Sequence, residues 1–156
     1  AGDDAAPPIE QAEGQSLFEA IRTSELPEDQ TLVLWRGTNV FAVLNRYPYT
    51  SGHLMVLPNR AARELTELTD DEHAELWQGV RLATRALQSA YRPHGINVGA
   101  NLGRGAGAGI PDHLHVHVLP RWEGDTNFMS SIADVRVMPE TLDVSWHRLK
   151  EAWPDR

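Results

Sequence analysis

The sequence of 156 residues contains no cysteine, which excludes disulfide bonds and thiolate zinc sites. It also has no apolar run near the roughly 18 residues that a membrane span needs. Basic residues are few: 14 Lys and Arg stand against 22 Asp and Glu, and the formal net charge is −8. Nucleic acids and anionic membranes bind basic surfaces, so we expect neither as a partner. The absence of cysteine fits a cytoplasmic location, which we expect. A small anionic ligand stays possible, since backbone N–H groups can hold a phosphate locally.

Length and composition favour one folded domain. With 41% hydrophobic and 23% charged residues, the chain fits a globular protein with a single core. The first 14 residues, AGDDAAPPIEQAEG, are small, acidic and proline-bearing. They lack the basic and apolar regions of a signal peptide. We therefore expect a flexible leader over residues 1–14 and a single domain over residues 15–156.

Hydrophobic periodicity and turn residues predict short strands combined with helices. A short helix is predicted over Ser16–Ser24 and another over Leu142–Trp153. Thr69 and Glu72 match a capping box that opens a long helix, which ends near Pro93. The predicted strands are Thr31–Arg36, Val40–Leu44, His53–Leu57, Ile96–Asn101 and Leu114–Leu119. This order predicts an α+β fold, in which an antiparallel sheet of about five strands carries one long helix and a C-terminal helix.

Three histidines alternate with apolar residues in HLHVHVL, residues 113–119. On a strand, this period of two points all three imidazoles to one face and buries the intervening side chains on the other. Neighbouring imidazoles then begin about 6.6 Å apart, a spacing that spans a phosphate group. A neutral imidazole is a nucleophile near pH 7, and a second imidazole can protonate a departing phosphate. The pattern is therefore suited to nucleotidyl transfer through a covalent histidine intermediate.

Two other interpretations of the histidines stay open at this point. Imidazole is a common metal ligand, and three rings on one face are also compatible with a structural cluster whose nitrogens are all hydrogen-bonded. The glycine-rich loop LGRGAGAGIPD, residues 102–112, lies directly before the histidines. Glycines allow the backbone to approach a ligand closely, so that successive N–H groups converge on an anion. Beside the histidines, a phosphate cradle is the better interpretation of this loop.

Several blocks of the sequence resemble the histidine triad family. HLHVHVL (113–119) is similar to the family signature, in which three histidines alternate with hydrophobic residues. FAVLNRYP (41–48) resembles its ribose-contacting strand end, and GHLMVLP (52–58) resembles the strand that follows. NVGANLG (97–103) and LPRWEGDTNF (119–128) are most similar to the actinobacterial diadenosine tetraphosphate phosphorylases of that family. The resemblance implies the family's fold, an adenine nucleotide or dinucleoside polyphosphate as substrate, no cofactor, and a homodimer with residues 96–101 or the long helix near its interface.

The resemblance also implies roles for the matching residues. His115, the middle histidine, is the expected nucleophile, and His117 is expected to contact the phosphate and the leaving oxygen. His113 and His53 are expected to support this ring network, with no metal bound. The remaining expected nucleotide contacts are Asn45 at the ribose hydroxyls, Asn101 at the α-phosphate, Phe41 and Leu54 at the base, and the backbone N–H groups of Ala108 and Gly109. For Phe41 and Leu54, packing in the core is an equal alternative; for Asn45 and Asn101, the alternatives are a turn residue and a strand-end cap.

One departure concerns Gly109 and Ile110, which stand where relatives often have a Ser, Thr or Gln that touches the phosphate. We predict a nucleotidyl transferase that cleaves diadenosine tetraphosphate with orthophosphate as the acceptor. Its leaving-group site is expected to comprise the glycine-rich loop, Asn101 and either Arg104 or the Arg121-Trp122 pair. The alternatives are a hydrolase of the same substrates and a catalytically weak nucleotide-binding or sensor protein. A metal-dependent hydrolase ranks last, because no Asp or Glu apart from Asp112 lies at an obvious ligand spacing.

Overall fold

The computed structural model describes residues 8–125 and 140–155. Its five strands form one antiparallel sheet in the order β1-β2-β3-β5-β4. The strands are β1 (Val33–Arg36), β2 (Val40–Leu44), β3 (Leu54–Pro58), β4 (Gly95–Gly99) and β5 (Val116–Arg121). The helices are α1 (Leu17–Thr23), α2 (Glu28–Thr31), α3 (Asp70–Tyr91) and α4 (Leu142–Ala152). The predicted α+β fold is confirmed, with its five antiparallel strands, long helix and C-terminal helix.

Two predicted features extend beyond the described residues. Residues 1–7 of the predicted leader lie outside them, and so do Thr126, Asn127 and Phe128 of the phosphorylase-like block. Within the described residues, no helix has the combined length and apolarity to cross a membrane.

Helix α3 packs on one face of the sheet and begins as predicted. The Thr69 side chain accepts a hydrogen bond from the Glu72 N–H at 3.2 Å, and the Glu72 carboxylate accepts one from the Thr69 N–H at 2.8 Å. This reciprocal pair satisfies two N–H groups at the helix start. Gly79 lets the helix approach the sheet closely, because a Cβ at that position would lie 2.8 Å from Cγ1 of Val56.

Strand alternation gives the sheet two distinct faces. Val56 faces α3, so its neighbours in the same strand, Met55 and Leu57, face the opposite side. Met55 pairs with Val43 on β2 and with His117 on β5, and residues directly opposite in a ladder share a face. His117 therefore lies on the face away from α3.

Three strands begin later than predicted: β3 starts one residue late, at Leu54, and β1 and β5 each start two residues late. Thr31 ends the short helix α2, and Leu32 then adopts a left-handed conformation with φ of 65°, so β1 starts only at Val33. β5 starts at Val116 because the Leu114 N–H donates to the carbonyl of Ala62 at 2.6 Å and not to a neighbouring strand.

The two edges of the sheet differ in exposure. Helix α4 lies against β1, where the Trp146 indole N–H donates to Val33 O at 2.9 Å and Lys150 donates to Leu34 O at 3.0 Å. β4 forms the other edge and has mostly exposed residues; Val98 is 45% exposed. Within the part of the chain that the structure describes, β4 is thus the open edge.

Candidate active site

A pocket of about 750 Å³ lies on the face of the sheet away from α3. His115 and His117 lie on its polar side, together with Asn45, Asn101, Gly107 and Gly109. Its apolar lining residues are Pro8, Ile9, Leu17, Phe18, Ile21, Leu32, Val43, Leu44, Met55 and Ile110. A largely apolar pocket with a few convergent polar groups is the usual form of a small-molecule site.

The hydrogen bond of His115 fixes which ring nitrogen is free. Its Nδ1 lies 2.8 Å from the carbonyl oxygen of His113, and a carbonyl can only accept, so Nδ1 carries the hydrogen and donates. In the neutral ring, Nε2 then has an available lone pair. The ring is 7% exposed and lines the pocket, which leaves Nε2 as the candidate nucleophilic atom.

His117, His53 and the backbone of Tyr49 form a chain of hydrogen bonds with one consistent direction. The Tyr49 N–H donates to Nδ1 of His53 at 3.1 Å, so the hydrogen of the neutral His53 ring is on Nε2. That Nε2–H donates to Nδ1 of His117 at 2.8 Å. The neutral His117 ring therefore carries its hydrogen on Nε2, as a donor to a ligand.

Burial keeps His117 neutral near pH 7. Desolvation lowers its pKa to about 4, and the neighbouring His115 ring contributes to the lowering. The two ring centroids are 5.0 Å apart in an edge-to-face arrangement. The site thus places a lone-pair nitrogen beside an N–H donor, which suits attack on phosphorus and stabilisation of the departing oxygen.

His113 is completely buried and uses both ring nitrogens within the protein. Its Nε2–H donates to Pro58 O at 2.8 Å, and its Nδ1 accepts from the Ser16 hydroxyl at 2.7 Å. Burial lowers its pKa below the usual range. With both nitrogens engaged, His113 is unavailable as a metal ligand. Within residues 8–125 and 140–155, no group of three or more His, Asp or Glu side chains is arranged to hold a metal ion.

Asn45 and Asn101 both line the pocket. Asn45 Oδ1 accepts from the Tyr47 N–H at 3.0 Å, which fixes the orientation of the amide. Asn45 Nδ2 lies 3.4 Å from Nε2 of His53, but both nitrogens carry hydrogens, so this is a close approach and not a hydrogen bond. Asn101 Nδ2 makes a long contact of 3.5 Å with Gly107 O. The roles of both residues towards a nucleotide stay predictions.

The glycine-rich loop contributes different residues from those expected. Gly109 lines the pocket, as predicted, and Gly107 joins it. Ala108 does not line it, and its N–H donates to Gly103 O at 3.3 Å within the loop. That hydrogen bond closes the turn and occupies the N–H that was expected to reach a phosphate.

Phe41 and Leu54 lie in the core and outside the pocket lining. Leu54 lies two residues before Val56 in β3 and so points to the same face, towards α3 and away from the pocket. Phe41 shares a face with Val43, but it lies two residues before Val43 in β2 and is completely buried. Core packing, the equal alternative, accounts for both.

The side chains expected at the leaving group are also absent from the described lining; these are Arg104, Arg121 and Trp122. Arg121 pairs with Asp125 at 2.5 Å and donates to Asn97 Oδ1 at 2.8 Å, bracing the end of β5. The Trp122 ring contacts Tyr91 at a centroid distance of 6.1 Å, and Arg104 is exposed on the loop. The described lining contains one Lys or Arg side chain, Arg46.

Sequence reasoning missed Ser16, Tyr49 and the contribution of α1. Leu17, Phe18 and Ile21 of α1 line the pocket, and Phe18 contacts the His113 and His115 rings at 5.4 and 5.3 Å. Their spacing indicates an apolar helix face, but the local sequence does not indicate which part of the protein that face contacts. Pro8 and Ile9, within the predicted leader, also line the pocket. The domain boundary at residue 15 stays a prediction.

Known proteins resemble this chain in sequence. Residues 27–124 match the family model of the HIT domain. A Mycobacterium tuberculosis protein named AP-4-A phosphorylase is 44% identical over 149 residues, which cover 94% of this chain and 76% of that protein. A Schizosaccharomyces pombe protein named bis(5'-nucleosyl)-tetraphosphatase (asymmetrical) is 33% identical over 93 residues, covering 60% of this chain and 50% of that protein.

Solved structures resemble the fold as well. A hypothetical histidine triad nucleotide-binding protein from Sulfolobus tokodaii matches with a TM-score of 0.70 and 29% identity, over 86% of this chain and 89% of that one. A zinc-bound histidine triad family protein from Mycobacterium smegmatis matches with a TM-score of 0.70 and 27% identity, over 87% of this chain and 91% of that one.

Proposed function

The chain belongs to the histidine triad (HIT) family, and from this premise we propose that it cleaves dinucleoside polyphosphates, diadenosine tetraphosphate in particular, by transferring a nucleotidyl group to His115 and then to orthophosphate. The observation that carries the proposal is the orientation of His115, whose Nδ1 is held by His113 O while its Nε2 is left for the pocket. The extended similarity to the M. tuberculosis AP-4-A phosphorylase supports the choice of substrate.

The first step forms a bond between His115 Nε2 and the α-phosphorus and breaks the phosphorus–oxygen bond to the departing ATP. His117 Nε2–H donates to the oxygen that accumulates negative charge, which stabilises the leaving group. His53 and the Tyr49 N–H hold His117 in the tautomer that can donate. His113 supports the His115 ring through its carbonyl, and its own ring is fixed by Ser16 and Pro58.

The second step transfers the adenylyl group from His115 to an oxygen of orthophosphate. The phosphorus–nitrogen bond breaks with its electron pair returning to His115 Nε2, and ADP forms; the attacking oxygen of orthophosphate is already deprotonated near pH 7, so His117 keeps its hydrogen throughout this step. Asn101, Gly107 and Gly109 line the same pocket and are the groups we assign to holding phosphate. A bound, oriented acceptor has an advantage over water, because effective molarities of positioned groups reach about 10⁵ M or more. Asn45 is assigned to the ribose hydroxyls.

The test is to incubate the protein with diadenosine tetraphosphate, with and without millimolar phosphate, and to separate the nucleotides. Phosphorolysis yields ATP and ADP, whereas hydrolysis yields ATP and AMP. His115→Asn is the control for contaminating activity. If AMP forms at the same rate with and without phosphate, the protein is a hydrolase. If the wild-type protein binds the substrate without turnover, it is a nucleotide-binding protein of this family.

We also propose that the protein is a cytoplasmic homodimer joined along β4. An edge strand presents unpaired N–H and C=O groups that can pair with a second strand, and the exposed Val98 and Leu102 add apolar surface there. Sedimentation equilibrium at micromolar concentration should give a dimer that Asn97→Pro weakens. A wild-type monomer under these conditions would contradict the proposal.

A further inference from the structure

The side chains of two exposed tyrosines at the pocket have no role in the steps above. Tyr47 is 81% exposed and Tyr49 is 53% exposed, and both line the pocket. Tyr47 shows no ring contact or side-chain hydrogen bond with the other described residues. Exposed aromatic rings beside a polar groove are suited to stacking on the flat face of a nucleobase.

The aromatic contacts give the pocket two ends. Phe18 lies against His115, with ring centroids 5.3 Å apart, and belongs to the apolar wall that α1 contributes. Tyr49 lies on the other side, stacked 6.3 Å from the His117 ring at an interplanar angle of 25°. His115 takes the nucleotidyl group and His117 faces the oxygen that departs. The Phe18 end therefore belongs to the transferred nucleotide, and the Tyr49 end belongs to the leaving one.

The leaving half of a dinucleoside tetraphosphate is long. Three phosphates separate the broken bond from the second nucleoside, so a site for that nucleoside must lie at the rim and not beside the histidines. Tyr47 lies two residues before Tyr49 in the chain and is the most exposed large apolar side chain of the described residues. Arg46, the one Lys or Arg of the described lining, is adjacent in sequence and provides positive charge for the polyphosphate.

We propose that Tyr47, at the end of the pocket that Tyr49 marks, binds the nucleoside of the departing half of a dinucleoside polyphosphate by stacking on its base. The inference rests on the proposed function and extends it, because it assigns this rim to selection of dinucleotides over mononucleotides. Stacking is tolerant of base identity, so the rim accepts purines and pyrimidines in the departing half.

The test measures binding and needs no turnover. In a His115→Asn background, calorimetric titration compares diadenosine tetraphosphate with AMP, which fills the first half-site alone. We expect the dinucleotide to bind more tightly than AMP. Tyr47→Ala should weaken its binding by about tenfold without changing the affinity for AMP. Tyr47→Phe keeps the ring and should bind both ligands as the parent does. The side chain is exposed, so these substitutions should leave folding intact.

Two results would overturn the inference. One is equal affinity of the parent for the dinucleotide and for AMP. The other is a Tyr47→Ala variant that binds both ligands as the parent does, or weakens both equally. Failure of the proposed function is separate, because it is absence of turnover in the wild-type protein, which this titration does not use.

Discussion

Ser16 makes two side-chain hydrogen bonds that a single substitution removes. Its hydroxyl oxygen accepts from the Glu19 N–H at 3.1 Å as the N-cap of α1, and its hydrogen is donated to the buried Nδ1 of His113 at 2.7 Å. Loss of an N-cap costs about 1 kcal/mol. Leaving a buried acceptor without a partner costs about 1–3 kcal/mol more. We therefore expect Ser16→Ala to lower the free energy of unfolding by about 2–4 kcal/mol.

The chain contains a matched control for this prediction. Thr69 is the N-cap of α3 in the same kind of capping box, with no histidine attached, so Thr69→Ala should cost only about 1 kcal/mol. Urea unfolding of both variants, read by linear extrapolation, gives the difference directly. We expect Ser16→Ala to be the more destabilising by at least about 1 kcal/mol. Equal losses would show that the bond to His113 contributes nothing to stability and would refute the reasoning.

Three further predictions concern the buried histidines, the packing of α3 and the donor role of His117. Burial holds the pKa values of His113 and His117 below the usual 6.5, so the unfolded chain binds more protons than the folded chain as the pH falls. The free energy of unfolding should therefore be highest above about pH 6.5 and decline towards pH 4. Urea midpoints that stay constant over this range would contradict the prediction. Gly79→Ala gains up to about 1 kcal/mol in helix propensity but crowds Val56, and overpacking costs about 1–3 kcal/mol, so thermal unfolding should show no stabilisation; a higher Tm would count against the close packing of α3. His117→Gln should lower kcat more for a phenolate ester of AMP than for diadenosine tetraphosphate, since phenol is a weaker acid than the terminal phosphate of ATP and its departure depends more on the Nε2–H donor; equal losses would argue against the donor role.

The fold was predictable because its signals are local. The capping box of α3 is recognised from Thr69 and Glu72 at their spacing. The alternation of histidine and apolar residues in HLHVHVL is likewise a local pattern, and it is typical of a strand. The resemblance to the HIT family was confirmed by the family model and by the M. tuberculosis relative. The start of β1 was missed, since the left-handed turn at Leu32 has no glycine or asparagine to indicate it.

The site was predictable in part, and the failures have both long-range and local causes. Ser16 and His113 are 97 residues apart, so their hydrogen bond cannot be inferred from either local pattern. Arg121 resembled a phosphate ligand, but Asp125 four residues later satisfies its charge. Leu54 was assigned to the base although strand parity directs it towards α3. Which face a strand presents to a ligand depends on where the helices pack, and that is a property of the assembled fold.

The measurement that tests the central claim most directly is to identify the covalent intermediate. The wild-type protein is incubated with diadenosine tetraphosphate in the absence of phosphate, quenched rapidly at alkaline pH to protect a phosphoramidate, digested and mapped by mass spectrometry. Our account predicts one acid-labile adenylyl group on the peptide that contains residues 113–117, located at His115 and absent from His115→Asn. Turnover without any adenylylated histidine, or with the label on another residue, would contradict it.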